Sequence, residues 1–403
     1  MNVDTMRAID RWAGIPLCFA LTLVSRLFGL PAKERPRPKR ILFVELSEMG
    51  STILADPAMR KARAVFDAEL FFVIFRRNAA SLEFLQTVPA ANIYTIREDS
   101  LFTLAIDTLG FLVWTRRRGI DTVIDLELFS RFTALLTGLA GAANRVGFHR
   151  FHNEGLYRGE LLSHRVAYNP HIHIAKNFIA LVNALSGPVD EVPYSKTLID
   201  DAETGVPHVT VPTAATAEMR ERIAAAFPGY EPLRHRIVLF NPNASELLPQ
   251  RRWPVDNFVA LAKTVLGRWK DVVILVTGAP AEAAEADELC RRVGDPRMVN
   301  FAGRQRLTEL PALYGIARLM VTNDSGPGHF ASVTEMPTIV LFGPETPALY
   351  GSLGDSRPVT AGLACSPCVS AANHRKTACS DPVCMRAITP ERVVSTMQDL
   401  LGP

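Results

Sequence analysis

The segment VTNDSGPGHFASVTEMPTIVLFGPETP, Val321 to Pro347, concentrates residue types suited to holding an anion. An apolar run ends at Asn323-Asp324, and Ser325-Gly326-Pro327-Gly328 turns the chain toward a helix expected from His329. Small residues in such a turn let backbone N–H groups face a ligand, and a helix N-terminus adds about half a positive charge. A pyrophosphate suits that chemistry. A second segment, NPNASELLPQRRWP from Asn241 to Pro254, brings Ser245, Arg251 and Arg252 to the end of another apolar run. Guanidinium groups there neutralise phosphates through forked hydrogen bonds. In a third, Thr277-Gly278-Ala279-Pro280 precedes Glu282, a carboxylate placed where ribose hydroxyls are often held. A fourth, ILFVELSEMGSTILADPAMR (41–60), offers one carboxylate, Glu48, and two hydroxyls, Ser47 and Ser51. Taken singly, each has an ordinary reading: a tight turn, a packed core histidine, a solvated basic loop.

Short β-rich runs alternating with helical periods must position these loops. In the first half, strands are expected at Ile41–Glu45, Leu70–Phe75, Asn92–Ile96, Thr122–Leu126 and Arg145–Phe148. Helices are expected near Ser51, at Ser81–Thr87 and at Phe129–Leu139. The second half repeats the pattern, with strands at Arg236–Phe240, Val272–Val276, Met298–Phe301, Leu319–Thr322 and Thr338–Phe342. Its helices are expected at Val255–Leu266, Ala281–Arg292, Leu307–Gly315 and His329–Thr334. Strands alternating with helices predict an α/β fold with two doubly wound, Rossmann-like domains facing a cleft. The Pro-rich stretch Gly187–Pro212 reads as the linker, giving domains at 40–190 and 206–403. All four segments then fall at the carboxyl ends of strands, where such sheets bind ligands.

The 403 residues suffice for two domains, and 48% apolar content is too little for a polytopic membrane protein. A net charge of +3, from 44 basic and 41 acidic residues, gives no global field for nucleic acid. Six cysteines in this length do not suggest a secreted disulfide scaffold. Residues 1–39 differ in kind. Trp12 to Leu30 is apolar apart from Thr22, Ser25 and Arg26, with Arg7 and Arg11 before it and KERPRPKR after it. The run is opened by Pro16, interrupted by Arg26 and lacks a small-residue cleavage site. It reads as a helix lying on an anionic membrane surface, followed by a basic linker. The alternative is a helix packed on the protein's own surface.

Taken together, these motifs resemble glycosyltransferase family 9, the bacterial heptosyltransferases of GT-B fold. The resemblance covers most of residues 40–402. It rests on Met49-Gly50, Asp56–Met59, Arg145–Phe148, RRWP, GAP, Ala302–Arg304, NDSGPGH and LFGPETP, in this order. It implies an inverting, metal-independent transfer of heptose from ADP-heptose to a lipopolysaccharide inner-core acceptor, without a cofactor, at the cytoplasmic face of the inner membrane. It implies nucleotide-sugar binding by Arg251, Glu282, Asp324, Ser325, Gly326, Gly328 and His329, with Ser245 a weaker carry-over; Arg252 and Gly278 join them from their place at the same strand ends. For an anionic acceptor, Arg76 and Arg145 are candidates, with Arg77 and Arg116–Arg118 beside them. The alternatives are a GT-B protein that binds without catalysis, or a transferase using another nucleotide sugar.

One position departs from the family. Its usual Asp after Met-Gly, taken as the general base, is Ser51 here. A serine hydroxyl cannot remove a sugar proton unaided. Glu48, in the same loop, is the candidate base, with Ser51 orienting the acceptor. Asp56 should lie too deep along the helix, and Glu45 in the strand. Finally, Cys365, Cys368, Cys379 and Cys384 are spaced C-x2-C-x10-C-x4-C. They suit either a structural zinc knuckle, with His374 as a substitute ligand, or a compact loop of reduced thiols. No catalytic metal is expected.

Overall fold

The structure is a computed structural model that describes residues 3–28, 35–46, 48–128, 130–150, 156–187, 191–245, 248–370 and 376–402. It divides into two compact units, one running to Gly205 and one beginning at Val206. The first starts with α1 (Val3–Trp12) and α2 (Gly14–Phe28), then β1 (Arg40–Val44), α3 (Met49–Phe66) and β2 (Glu69–Phe75). It continues with β3 (Ile93–Ile96), α4 (Leu101–Arg118), β4 (Thr122–Asp125) and α5 (Arg131–Leu139). β5 (Asn144–Phe148), β6 (His164–Val166) and α6 (Ile174–Asn183) complete it. The sheet order is β3-β2-β1-β4-β5-β6, with every pairing parallel.

The second unit opens with α7 (Thr213–Ala226), β7 (Arg236–Asn241), α8 (Val255–Arg268), β8 (Val272–Val276) and α9 (Ala283–Val293). There follow β9 (Met298–Asn300), α10 (Leu310–Ile316), β10 (Ala317–Asn323), α11 (Gly326–Phe330) and β11 (Thr338–Phe342). It ends with α12 (Pro347–Tyr350), β12 (Ser356–Thr360), α13 (Val383–Arg386) and α14 (Pro390–Leu401). Its order, β12-β11-β10-β7-β8-β9, is the same topology with β7 in the place of β1. Strand order reverses between β1 and β4, and again between β7 and β10. Those two switch points are where a parallel sheet opens a crevice.

Local chemistry explains the elements. Parallel strands are covered on both faces and read as unbroken apolar runs, as in Ile41–Val44 and Val272–Val276, all buried. Ser100 caps α4 through a capping box with Thr103, and Gly119 ends that helix at φ 62°, a left-handed conformation that glycine adopts without strain. The edge strands β6 and β12 have no counterpart in the sequence expectations. The helix expected at Ser81–Thr87 is instead a 3₁₀ segment at Arg76–Glu83. The tract expected as a linker is fastened to the first unit as far as Gly205. Tyr194 N–H donates to the Arg165 carbonyl, and Lys61 and Lys176 pair with Glu203 and Asp201.

The N-terminal helices belong to the first unit as well. Asp10 of α1 accepts hydrogen bonds from the Arg131 and Phe132 N–H groups at 2.8 and 2.9 Å and pairs with the Arg131 guanidinium at 3.3 Å. A carboxylate thereby satisfies the first donors of α5 and complements its dipole. On α2, Gly14, Cys18 and Thr22 face inward, and the Thr22 hydroxyl accepts from the Glu160 N–H at 2.9 Å. One face of the segment therefore packs on the protein. Asp10→Ala should lower unfolding stability by about 1–3 kcal/mol, the usual penalty for leaving buried donors unsatisfied. Urea denaturation checks this, and an unchanged midpoint would show that α1 contributes nothing to α5.

Candidate functional site

In the second unit the switch point lies between the ends of β7 and β10. Asn323, fully buried at the end of β10, staples the two. Its Oδ1 accepts from the Trp253 N–H at 3.0 Å, and its Nδ2 donates to the Pro242 carbonyl at 2.7 Å. This holds the Asn241–Pro254 loop over β10 and places Arg251 against Asp324, Nη1 to Oδ2 at 3.6 Å. Both side chains are nearly inaccessible, at 7% and 4% exposure. Among the described residues, the Arg251 Nε has no hydrogen-bond acceptor. A buried guanidinium with an unused donor is an unusual expense unless an anion completes it.

The other residues expected at this edge have divided roles. Arg252 is bound to the Ala244 carbonyl and ties its own loop. Ser245 is exposed. Glu282 accepts from the Ala279 N–H at 2.6 Å, capping the turn in which Gly278 leaves room for its carboxylate. The helix expected from His329 begins at Gly326, so Gly326, Gly328 and His329 all lie inside α11. Pro327 has no N–H, and the Gly328 N–H donates to the Ser325 carbonyl. The Ser325 hydroxyl bonds the Asn323 carbonyl at 3.2 Å. The turn thus offers fewer backbone donors than its glycines suggest. The buried Glu345, after β11, is a further carboxylate at this edge that the sequence reading passed over.

In the first unit the switch point lies between β1 and β4. Glu48, half-buried, is the residue preceding α3, which starts at Met49 rather than near Ser51. Ser51 is half-buried in the first turn, and Ser47 lies outside the described residues. The loop is pinned by its neighbours. The Leu46 N–H donates to Glu127 Oε1 at 3.2 Å, and the Leu46 carbonyl accepts from Asn78 at 2.8 Å. Asp56 is fully buried and bound by Arg60 and Thr87, deep along α3 as expected. Glu45, also buried, sits just beyond the end of β1 rather than within it.

Beside Glu127 lies a charge network that sequence reasoning missed. Asp125, at the end of β4, is fully buried and ion-paired with Arg158. Arg158 also donates to the Glu127 carbonyl at 2.7 Å, the Ser130 carbonyl at 2.8 Å and the Thr133 hydroxyl at 2.9 Å. Burial pushes the Asp125 pKa up to about 6, against the opposing charge of Arg158 and reinforced by Glu127. A cavity of about 250 Å³ adjoins the pair, lined also by His149, Arg150, Tyr157 and Glu160. The carboxylates of Asp125-Leu126-Glu127 after an apolar strand were a readable signal; Arg158, far along the chain, was not.

The arginines proposed for the acceptor separate by edge. Arg76 is exposed just after β2, at the carboxyl edge, and Arg77 there pairs with Glu98 at 2.9 Å. Arg145 lies away from that edge. It lies near the amino end of β5, with its guanidinium donating to the Leu161 and Ala142 carbonyls at 2.7 and 2.8 Å. Arg116 and Arg118 lie at the carboxyl end of α4, which returns to the amino edge, and bond the Leu139 and Ala91 carbonyls. The four late cysteines are free thiols, and no three metal-ligating side chains converge among the described residues. His374 lies outside those residues.

A sequence profile of glycosyltransferase family 9 (heptosyltransferase) matches residues 115–378, more than half of the chain. The chain belongs to this family. The family 9 chain is 29% identical over 181 residues to lipooligosaccharide heptosyltransferase 2 of Haemophilus influenzae, covering 44% of its own length and 49% of that protein. It is 31% identical over 111 residues to lipopolysaccharide heptosyltransferase 2 of Escherichia coli, covering 27% and 31%. It therefore aligns with about half the length, or less, of these curated relatives. Its fold is that of the E. coli ADP-heptose lps heptosyltransferase II structure, with TM-score 0.66 and 19% identity over 90% of this chain and 98% of that one. A family 9 glycosyl transferase from Veillonella parvula superposes with TM-score 0.69 and 18% identity over 90% and 97%. The α/β architecture is thus of GT-B type.

Arg158→Met should destabilise the family 9 chain by about 3–5 kcal/mol at pH 7, the cost of stranding a buried partner charge. Asp125 has a folded pKa above its ordinary 3.8, so its ionisation opposes folding as pH rises through that window. Without Arg158 the window moves upward. The variant's deficit should therefore shrink between pH 7 and pH 5, as read by denaturation at each pH. A deficit independent of pH would show that Arg158 acts by packing alone.

Proposed function

We propose that this protein is an inverting glycosyltransferase that moves heptose from ADP-heptose to an inner-core sugar of lipopolysaccharide or a related anionic glycolipid. The observation that carries the reading is the buried Arg251–Asp324 pair at the second switch point, whose guanidinium Nε has no acceptor among the described residues. The relatives named as heptosyltransferases, and the similar fold of an E. coli heptosyltransferase with ADP (TM-score 0.60), support the choice of donor. The diphosphate lies against Arg251 and the first turn of α11, with Asp324, Ser325, Gly326, Gly328 and His329 around it. The nucleoside extends toward Gly278 and Glu282. The nucleotide leaves as an anion, so a fixed guanidinium stabilises the charge that develops in the transition state.

The first switch point supplies the proton acceptor in this reading. Glu48 removes the proton of the attacking acceptor hydroxyl, Ser51 orients that hydroxyl, and Glu127 holds the loop through Leu46. Arg76, exposed at the same edge of the sheet, meets an anionic group of the acceptor. The work takes place at the cytoplasmic face of the inner membrane, and the exposed apolar residues of α2 support a peripheral contact there.

Calorimetry with ADP tests the donor site. Arg251→Ala should weaken binding by about 1.5–3 kcal/mol, the range for a charge-assisted hydrogen bond. An unchanged Kd removes Arg251 from the site. Turnover with ADP-heptose and a lipid acceptor tests the base. Glu48→Gln should lower kcat by about 10²–10⁴ with ADP affinity preserved, whereas Ser51→Ala should cost much less. Wild-type turnover in Glu48→Gln would pass the role to another carboxylate, with Glu127 the first to examine.

A further inference from the structure

α4 is apolar on two faces. Its inner face is fully employed: Phe111 is buried in the core, Trp114 meets Phe71 and Tyr94 at ring distances of 5.7 and 5.2 Å, and Leu104 and Leu112 pack beside them. A helix lying on a sheet needs only that one apolar face, and the outer face ordinarily turns polar residues to water. Here the outer face carries Phe102, Ile106, Leu109 and Val113, at the i, i+4, i+7, i+11 spacing of a single stripe. Phe102 is 74% exposed and Leu109 66%. The stripe runs into Arg116 and Arg117.

α2 shows the same inversion. Its small and polar residues Gly14, Cys18 and Thr22 face the protein, while Phe19, Leu23 and Leu27 face outward. The two helices lie on the same side of the sheet. Met6 of α1 packs on the core cluster that holds Leu104 and Leu112 of α4 and Phe132 of α5, and α2 packs on α5. The charge of this side is mainly basic, although Asp99 is exposed just before α4. α4 has one acidic residue, Asp107, and it is held by Arg97 at 2.7 Å. Asp10 of α1 is turned to Arg131. Arg11, Arg26 and Arg117 remain exposed around the apolar residues.

We propose that the outward stripe of α4 is a second membrane-binding element, which with α2 inserts apolar side chains among the headgroups of an anionic bilayer. The inference rests on the reading that α2 meets lipid, and it is independent of the transfer reaction. Large apolar side chains ringed by arginines match the chemistry of a helix lying in the headgroup region.

Flotation of the full chain with phosphatidylglycerol/phosphatidylethanolamine vesicles, against phosphatidylcholine vesicles, tests it. The wild type should float with the anionic vesicles only. Phe102→Ser with Leu109→Ser should lower the partition constant at least about tenfold, given the apolar area removed. Phe19→Ser with Leu23→Ser should do likewise, and Arg117→Gln should weaken the preference for anionic lipid. Unchanged ADP affinity and thermal midpoint confirm that each variant is folded, as the exposure of these side chains leads us to expect. Wild-type flotation by the α4 double variant, with loss in the α2 variant, overturns the role of α4 and leaves that of α2 standing. No flotation of the wild type overturns both. A wild-type dimer that the α4 variant makes monomeric, seen by light scattering, would identify the stripe as a contact between copies and also overturn the proposal.

Discussion

Every strand pairing among the described residues is parallel, and both sheets repeat one order with one reversal point each. Most of what is distinctive in the molecule follows from that constraint. Parallel strands joined by helical crossovers send all the carboxyl ends of a sheet to one edge, which places Glu48 at that edge of the first sheet and Arg251 and Asp324 at that edge of the second. At each reversal the crossover helices diverge to opposite faces, and the gap between them is where side chains from separate strands can meet a common ligand. The Leu46–Glu127 and Asn323–Trp253 hydrogen bonds each bridge such a gap. They hold two loops in fixed relation where the sheet itself does not.

The two gaps are built differently. In the second unit a neutral amide does the joining, and the charged pair Arg251–Asp324 is left at a separation of 3.6 Å, longer than a good hydrogen bond. A buried charge pair in a low-dielectric setting responds strongly to a third charge. In the first unit the charges themselves are the structural element. Arg158 gathers Asp125, the Glu127 carbonyl and the start of α5 into one cluster, and Asp10 closes the same helix from outside. The N-terminal helices are therefore coupled to the β4–α5 region that supports the Glu48 loop, through contacts of short range and low exposure.

A sheet covered on both faces also decides where surplus apolar surface must go. Once α4 and α5 have covered their face, further apolar residues on α4 and α2 can only point outward. Exposed apolar stripes of this size are costly in water and are common where a protein meets another phase. The same packing thus explains the buried core and the unusual outer layer.

Much of this was readable from composition and period. The strands Ile41–Val44, Val272–Val276 and Thr338–Phe342 were legible because burial on both faces leaves an apolar run with no polar alternation. The alternation of strand and helix gave the α/β class, and the residue types at strand ends gave the Arg251, Asp324 and Glu48 loops. The short edge strands His164–Val166 and Ser356–Thr360 escaped, since an edge strand carries little apolar signal. Arg145 and Arg116 read as free cations, but a guanidinium is consumed by whichever carbonyls lie beside it, and those of Leu161 and Leu139 come near only on folding. The expected helix at His329 began three residues early, which moved Gly326 and Gly328 from loop to helix and removed donors from the turn. Arg158 meets Asp125, and Asp10 meets Arg131, across separations of 33 and 121 residues. Periodicity reports a residue's own element and its face. Which charges become partners depends on how elements distant in the chain are stacked, and no local pattern records that.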